Sequence, residues 1–260
     1  MTDELVKFSF SNGVVYAEFD NYRRRNALSV PLMKQLAEGA QGYLERERAT
    51  VIVVSGSGGV FSSGVDVTTV PSRVDGDIVE NYLDNREFGR HTRDFGALPM
   101  VKIAKIEGYC FGAGVNLATY CDVRFAADDT VFQLPELDLG SPFGAQGFDR
   151  LRYFLGPSKA LDLVLTARRF SAEEAATTSF LTGTSPKAEL ADRVKEYAEQ
   201  LAARPPFLLM QSVLVGQTSM AAALRPPSTE FDAAMLAPFD ERSRAQNHLF
   251  AARFSGRGES

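Results

Sequence analysis

The segment 100–122, MVKIAKIEGYCFGAGVNLATYCD, constrains the chain more than any other. Its first seven residues form a β-branched, apolar run that reads as a buried strand. Gly108, Gly112 and Gly114 then follow, and the apolar stretch beyond them reads as the first turns of a helix. A strand delivered through bare backbone to a helix start leaves N–H groups unpaired and lets a ligand come close. A dinucleotide site would need a third glycine where Leu117 stands, and no Gly-Lys-Ser/Thr follows to make a phosphate loop. What remains is the N–H of Ala113, flanked by glycines and placed to hold an oxyanion. A second glycine turn, FSSGVDV over 61–67, offers another such donor, so two N–H groups can converge on one oxygen.

The surrounding pattern places these turns in an α/β frame. Residues 5–10 and 14–19 flank Ser11-Asn12-Gly13, a hairpin signal, because Asn and Gly tolerate the positive φ of a tight turn. Ser29 precedes Val30-Pro31 and an amphipathic run, predicting a helix over 30–47. Residues 50–55 predict a second buried strand, 55–63 a loop, and 77–95 a helix. Beyond Arg150 the pattern predicts helices only, over 158–166, 171–179, 186–203, 206–220 and 229–252, with a capping box at Ser171 and Glu174 and an irregular tail. Strands alternating with helices, then helices alone, predict an α/β core with a helical appendage.

Composition narrows the partners. Across 260 residues, 33 acidic side chains outweigh 28 basic ones for a net charge of -5, which argues against nucleic acid or an anionic membrane as partner. Two cysteines without CxxC spacing, Cys110 and Cys121, and two distant histidines, His91 and His248, predict no metal site and no disulfide framework. Both cysteines read as small apolar packing residues, and both histidines as structural or surface groups. The amino-terminal MTDELVKFSF lacks a signal peptide's basic and apolar regions, and no apolar run approaches ~18 residues, so the expected setting is soluble and cytoplasmic.

Four segments, RRRNALSVPLMKQL (23–36), GGVFSSGVDV (58–67), PMVKIAKIEGYCFGAGVNLATYCDVRFAAD (99–128) and FQLPELDLGSPFGAQG (132–147), together resemble the crotonase, or enoyl-CoA hydratase/isomerase, superfamily in order and spacing. The resemblance implies a spiral of ββα units over 1–200 and a helical trimerisation region over 201–260, assembled as a homotrimer or a dimer of trimers. It implies an acyl-CoA or acyl-carrier thioester as ligand, with coenzyme A as part of the substrate and no further cofactor. The family's two carbonyl-holding amides fall at Val65 and Ala113. Arg24, Arg25, Ala27, Ser63, Val65, Asp66, Val67 and Gly112 line the implied thioester and CoA site, with Arg23 beside them. Arg253 and Phe254 lie where relatives close the CoA pocket from a neighbouring subunit.

The positions of the family's two hydratase glutamates fall at Asn116 and Glu136. A carboxylate pair can hold a water and share its protons, whereas a single carboxylate suffices to move a proton from Cα to Cγ. Asn116 can hydrogen-bond but not titrate. Glu136 lies among Phe132, Leu134 and Leu137, which would desolvate it and raise its pKa. Asp138 shares its face if the segment is extended. The expected activity is therefore an enoyl-CoA isomerase, with a hydratase, another lyase or decarboxylase, and a non-catalytic thioester-binding subunit as alternatives.

Overall fold

A computed structural model describes residues 4–66, 77–224 and 240–255. Strands β1 (Val6–Ser11) and β2 (Val14–Phe19) form the expected antiparallel hairpin, with Asn12 at φ 51° and Gly13 at φ 78°. Helix α1 (Val30–Glu47) begins at Ser29, whose hydroxyl accepts from the Leu32 N–H at 3.4 Å. It buries Leu32, Met33, Leu36, Ala37 and Ala40, a stripe at helical spacing. Then come β3 (Val51–Gly56), helix α2 (Ile78–Ala97) capped by Asp77, and β4 (Val101–Ile106). The glycine segment supplies β5 (Tyr109–Phe111) and helix α3 (Ala113–Thr119), followed by β6 (Val123–Ala127) and β7 (Val131–Gln133).

Helices α4 (Ala145–Leu155) and α5 (Pro157–Thr166) lead to β8 (Arg169–Ser171), α6 (Ala172–Ala176) and β9 (Gly183–Ser185). Helices α7 (Lys187–Ala202), α8 (Pro206–Ala223) and α9 (Glu241–Ser255) complete the described chain. The expectation of helices alone after Arg150 is corrected by β8 and β9, and the helix expected over 171–179 shrinks to five residues. Three-residue strands carry no readable period, and their position comes from packing: Phe170 of β8 stacks on Phe132 of β7 at 5.2 Å. Ser171 does cap α6, accepting from the Glu174 N–H at 3.1 Å, but the Glu174 carboxylate turns to Arg168 and Lys159 instead of closing the box. Of the helix expected over 229–252, the stretch before Asp240 lies outside the described residues, as does the tail after Ser255.

The strands order as β1-β2-β3-β4-β6-β9 in one sheet and β5-β7-β8 in another. From β2 to β9 the larger sheet is parallel. Ile52 and Val54 face the core beneath α1, while Val51 and Val53 face α7 through Leu190, Val194 and Ala198. Burial on both faces explains why β3 is continuously apolar instead of alternating. Truncating such a residue, as in Ile52→Ala, costs about 2–5 kcal/mol.

The smaller sheet sets out the site. Ser62 bridges Cys110 in parallel, and Cys110 pairs with Phe132 in parallel. Three successive passes of the chain thus leave one row in the same direction. Val65 and Ala113 stand three residues beyond that row, and Glu136 four. Among the described residues no helix is long and apolar enough to cross a membrane.

Candidate active site

One wall is made by two loops running side by side. Ser63 N–H donates to the Arg25 carbonyl at 3.0 Å, Leu28 N–H to Gly64 at 2.7 Å, and Asp66 N–H to Leu28 at 3.2 Å. The Ser63 hydroxyl donates to the Arg24 carbonyl at 3.4 Å, and the Arg24 guanidinium pairs with the Asp66 carboxylate. Ala27 and Asn26 are buried beneath. The Asn26 amide donates to the carbonyls of Ser57 (3.0 Å) and Val60 (2.6 Å), and its oxygen accepts from Asn21 N–H (3.2 Å). That residue was not singled out in the sequence, although it stands in the NALS segment and takes the positive φ, 53°, that asparagine tolerates.

Gly64, at φ 93°, brings this wall against the glycine turn. A Cβ there would lie 2.9 Å from the Phe111 carbonyl oxygen and 3.5 Å from the Ala113 nitrogen. The Gly64 N–H is taken up by the Ser62 hydroxyl at 3.1 Å, and the Gly112 N–H by the Gln133 carbonyl at 2.9 Å. The next N–H in each loop, Val65 and Ala113, has no hydrogen-bond partner among the described residues. Two unpaired backbone donors therefore sit on adjoining loops, one of them at the first position of α3.

The far end of α3 is fixed by cations. Arg124, buried between Phe154 and Phe180, donates to the Ala118 carbonyl at 3.3 Å and to Cys121, while Arg150 donates to Thr119 at 3.0 Å and stacks 3.8 Å over the Tyr120 ring. Positive charge at a helix carboxyl end offsets the carbonyl dipoles and holds the helix in place. Neither arginine stood out in the sequence, because the carbonyls they serve are identifiable only once α3 ends.

Glu136 closes the site from the third pass. It begins the 3-10 turn Leu137–Leu139, and its carbonyl accepts from Leu139 (3.0 Å) and Ser141 (2.9 Å). Its carboxylate reaches back to Gly112, where an added Cβ would come within 2.8 Å of Oε1. Oε2 is buried with no hydrogen-bond partner, and burial raises the carboxyl pKa from 4.5 to about 7. Asn116 lies one helical turn beyond Gly112, donating its N–H to the Gly112 carbonyl at 3.0 Å. Its Oδ1 is also buried and unpartnered, and a Cβ at Gly147 of α4 would lie 3.1 Å from it. The group is one titratable carboxyl near neutrality, one non-titratable amide and two free N–H donors, which suits proton transfer beside a developing oxyanion.

Val67 is outside the described residues; Arg23 and Arg25 are exposed. Asp138 is exposed on the 3-10 turn, so the extended geometry that would have put it on the face of Glu136 is corrected. His91 is buried in α2 beside Glu87 and Arg90, and burial lowers its pKa. Cys110 and Cys121 are buried free thiols, the latter pushed up to about 12 by burial. Among the described residues no three His, Cys, Asp or Glu side chains are grouped to hold a metal ion. Arg253 falls on α9, but nothing is described of its side chain or that of Phe254.

Comparison with known proteins agrees with this frame. A family model described as enoyl-CoA hydratase/isomerase matches residues 9–247. The chain is 27% identical over 221 residues to the peroxisomal Delta(3,5)-Delta(2,4)-dienoyl-CoA isomerase of Arabidopsis thaliana, covering 79% of this chain and 78% of that one. It is 28% identical over 192 residues to the mitochondrial enoyl-CoA hydratase of Pongo abelii, covering 74% and 64%. The fold is similar to the crystal structure of an enoyl-CoA hydratase/isomerase from Xanthobacter autotrophicus Py2, with a TM-score of 0.84 at 22% identity over 99% and 95% of the two chains. With its strand-strand-helix spiral and a family match running nearly end to end, the chain belongs to the enoyl-CoA hydratase/isomerase, or crotonase, superfamily.

Proposed function

We propose that this protein isomerises an enoyl thioester, moving a double bond by passing one proton from Cα to Cγ through Glu136. The observation that carries this reading is a buried Glu136 carboxyl with a pKa of about 7 and an unpartnered oxygen; Asn116, at the position of the family's other hydratase glutamate, cannot titrate. An acid near neutrality both accepts and returns a proton at little cost in driving force. Removing the α-proton moves charge onto the thioester oxygen, and the N–H groups of Val65 and Ala113 stabilise it there without reorganising. Each such donor contributes ~10²–10³ in rate. Proton return at Cγ then gives the conjugated product, and Glu136 ends in its starting state.

Crotonase enzymes act on CoA thioesters, and the exposed Arg23 and Arg25 at the mouth of the paired loops offer cations to the phosphates of coenzyme A. Helix α8 carries exposed Phe207, Leu208 and Val215, which supports assembly into a homotrimer or a dimer of trimers. Incubation in heavy water tests the reading. Migration of the double bond is expected, with deuterium taken up to the extent that the Glu136 proton exchanges between its two transfers, and binding with neither migration nor uptake would contradict the reading.

A further inference from the structure

The turn that carries Glu136 is held from its outer side by the carboxyl-terminal helix of the same chain. Gly140 closes that turn at φ 71°, and a Cβ on it would lie 2.5 Å from the Ser243 carbonyl oxygen and 3.1 Å from Asn247 Nδ2. Gln246 Nε2 donates to the Asp138 carbonyl at 3.1 Å. Asn247 is buried, and its Nδ2 donates to Ser243 at 3.0 Å. Residues 243, 246 and 247 share one face of α9 by helical spacing. The helix thus rests on turn backbone, with no room for a side chain between them, and Glu136 belongs to the same turn through its carbonyl bonds to Leu139 and Ser141.

We propose that α9 is a positioning element for Glu136: its Ser243, Gln246 and Asn247 face presses the 137–140 turn inward and so holds the carboxylate against Gly112 and away from water. This rests on the reading of Glu136 as the proton carrier. Releasing the face lets the turn move outward, the carboxyl hydrate, and the proton carrier lose its place beside the substrate.

Charged groups on the surrounding elements are Asp138 on the turn, Glu241, Arg242, Arg244, His248 and Arg253 on α9, and Lys159 and Asp162 on α5. The elevation of the Glu136 pKa comes from burial, opposed by its own backbone hydrogen bond. Hydration is therefore the change that would lower it.

The test uses the full chain with the double substitution Gln246→Ala/Asn247→Ala, the single Gln246→Ala, and Glu136→Gln alongside. Turnover of a 3-enoyl-CoA is followed across about pH 5 to 9, where the acid limb of kcat/KM reports the free enzyme's base. For the double variant kcat should fall ~10–10²-fold with KM changed less than about twofold, because the acid is displaced while thioester contacts remain. Its acid limb should move from about 7 toward 4.5. If the double variant does not fold, the exposed Gln246→Ala should show the same limb movement in smaller degree. A folded variant with an unmoved limb, or one that loses only melting temperature, would overturn the proposal while Glu136→Gln remained inactive. An active Glu136→Gln would instead remove the reading of Glu136 and the positioning role with it.

Discussion

The carboxylate of Glu136 occupies the space that a side chain on Gly112 would need, with Oε1 2.8 Å from the position of an added Cβ. Gly112 also adopts φ 48° and ψ −115°, a conformation L-residues rarely take. Gly112→Ala should therefore strain the backbone by about 1–3 kcal/mol and displace the acid together with the Ala113 N–H beside it. Turnover should drop ~10²-fold or more while the protein stays folded in a melting curve. Unchanged turnover would show that the carboxylate does not work from this position.

Glu136→Gln keeps the volume and removes the proton carrier, so turnover should fall by ~10²–10⁴. It should also change stability with pH. The native carboxyl binds its proton more tightly than the unfolded one, about 7 against 4.5. Ionising it in place is therefore destabilising: the cost is absent below 4.5, grows between the two values and is complete above 7. Melting curves should show the glutamine variant gaining on the parent protein as pH rises through that window. A constant difference across it would mean the carboxyl is not buried as described.

Ala113→Pro removes a backbone donor and Ala113→Ser keeps it. The first should lose ~10²–10³ in rate and the second little, since a proline at the first helical position is compatible with the fold. Melting curves beside the rates separate lost chemistry from lost structure. Equal activity in both variants would remove Ala113 from the oxyanion site.

Asn116→Glu would place a second carboxyl in the site, where two acids raise one another's pKa and can together hold a water. Hydration of a 2-enoyl-CoA should rise above that of the parent protein, with double-bond migration reduced. An unchanged product ratio in a folded variant would leave Asn116 a structural residue.

Much of this arrangement was legible in the sequence because it depends on local chemistry. The Asn12-Gly13 hairpin, the Ser29 cap and the β-branched run of β4 each follow from the conformational preferences of their own residues. Of the apolar neighbours read as burying Glu136, Phe132 and Leu134 lie in the core, whereas Leu137 is exposed. Other features come from tertiary contacts between distant segments. The strands β8 and β9 are too short to show a period and are fixed by the sheets they edge. Asp138 shares a face with Glu136 only in an extended segment, and this one curls at Gly140 into a turn beneath α9. The roles of Asn26, Arg124 and Arg150 lie in backbone carbonyls contributed by other segments, which no local pattern announces.

Product analysis of 3-enoyl-CoA and 2-enoyl-CoA, incubated side by side with the unmodified protein, tests the central claim most directly. With one titratable carboxyl and an amide in the second position, the expected result is conversion of the 3-enoyl to the 2-enoyl thioester with little hydroxyacyl product from either. Vigorous hydration of the 2-enoyl-CoA, without double-bond migration, would contradict it.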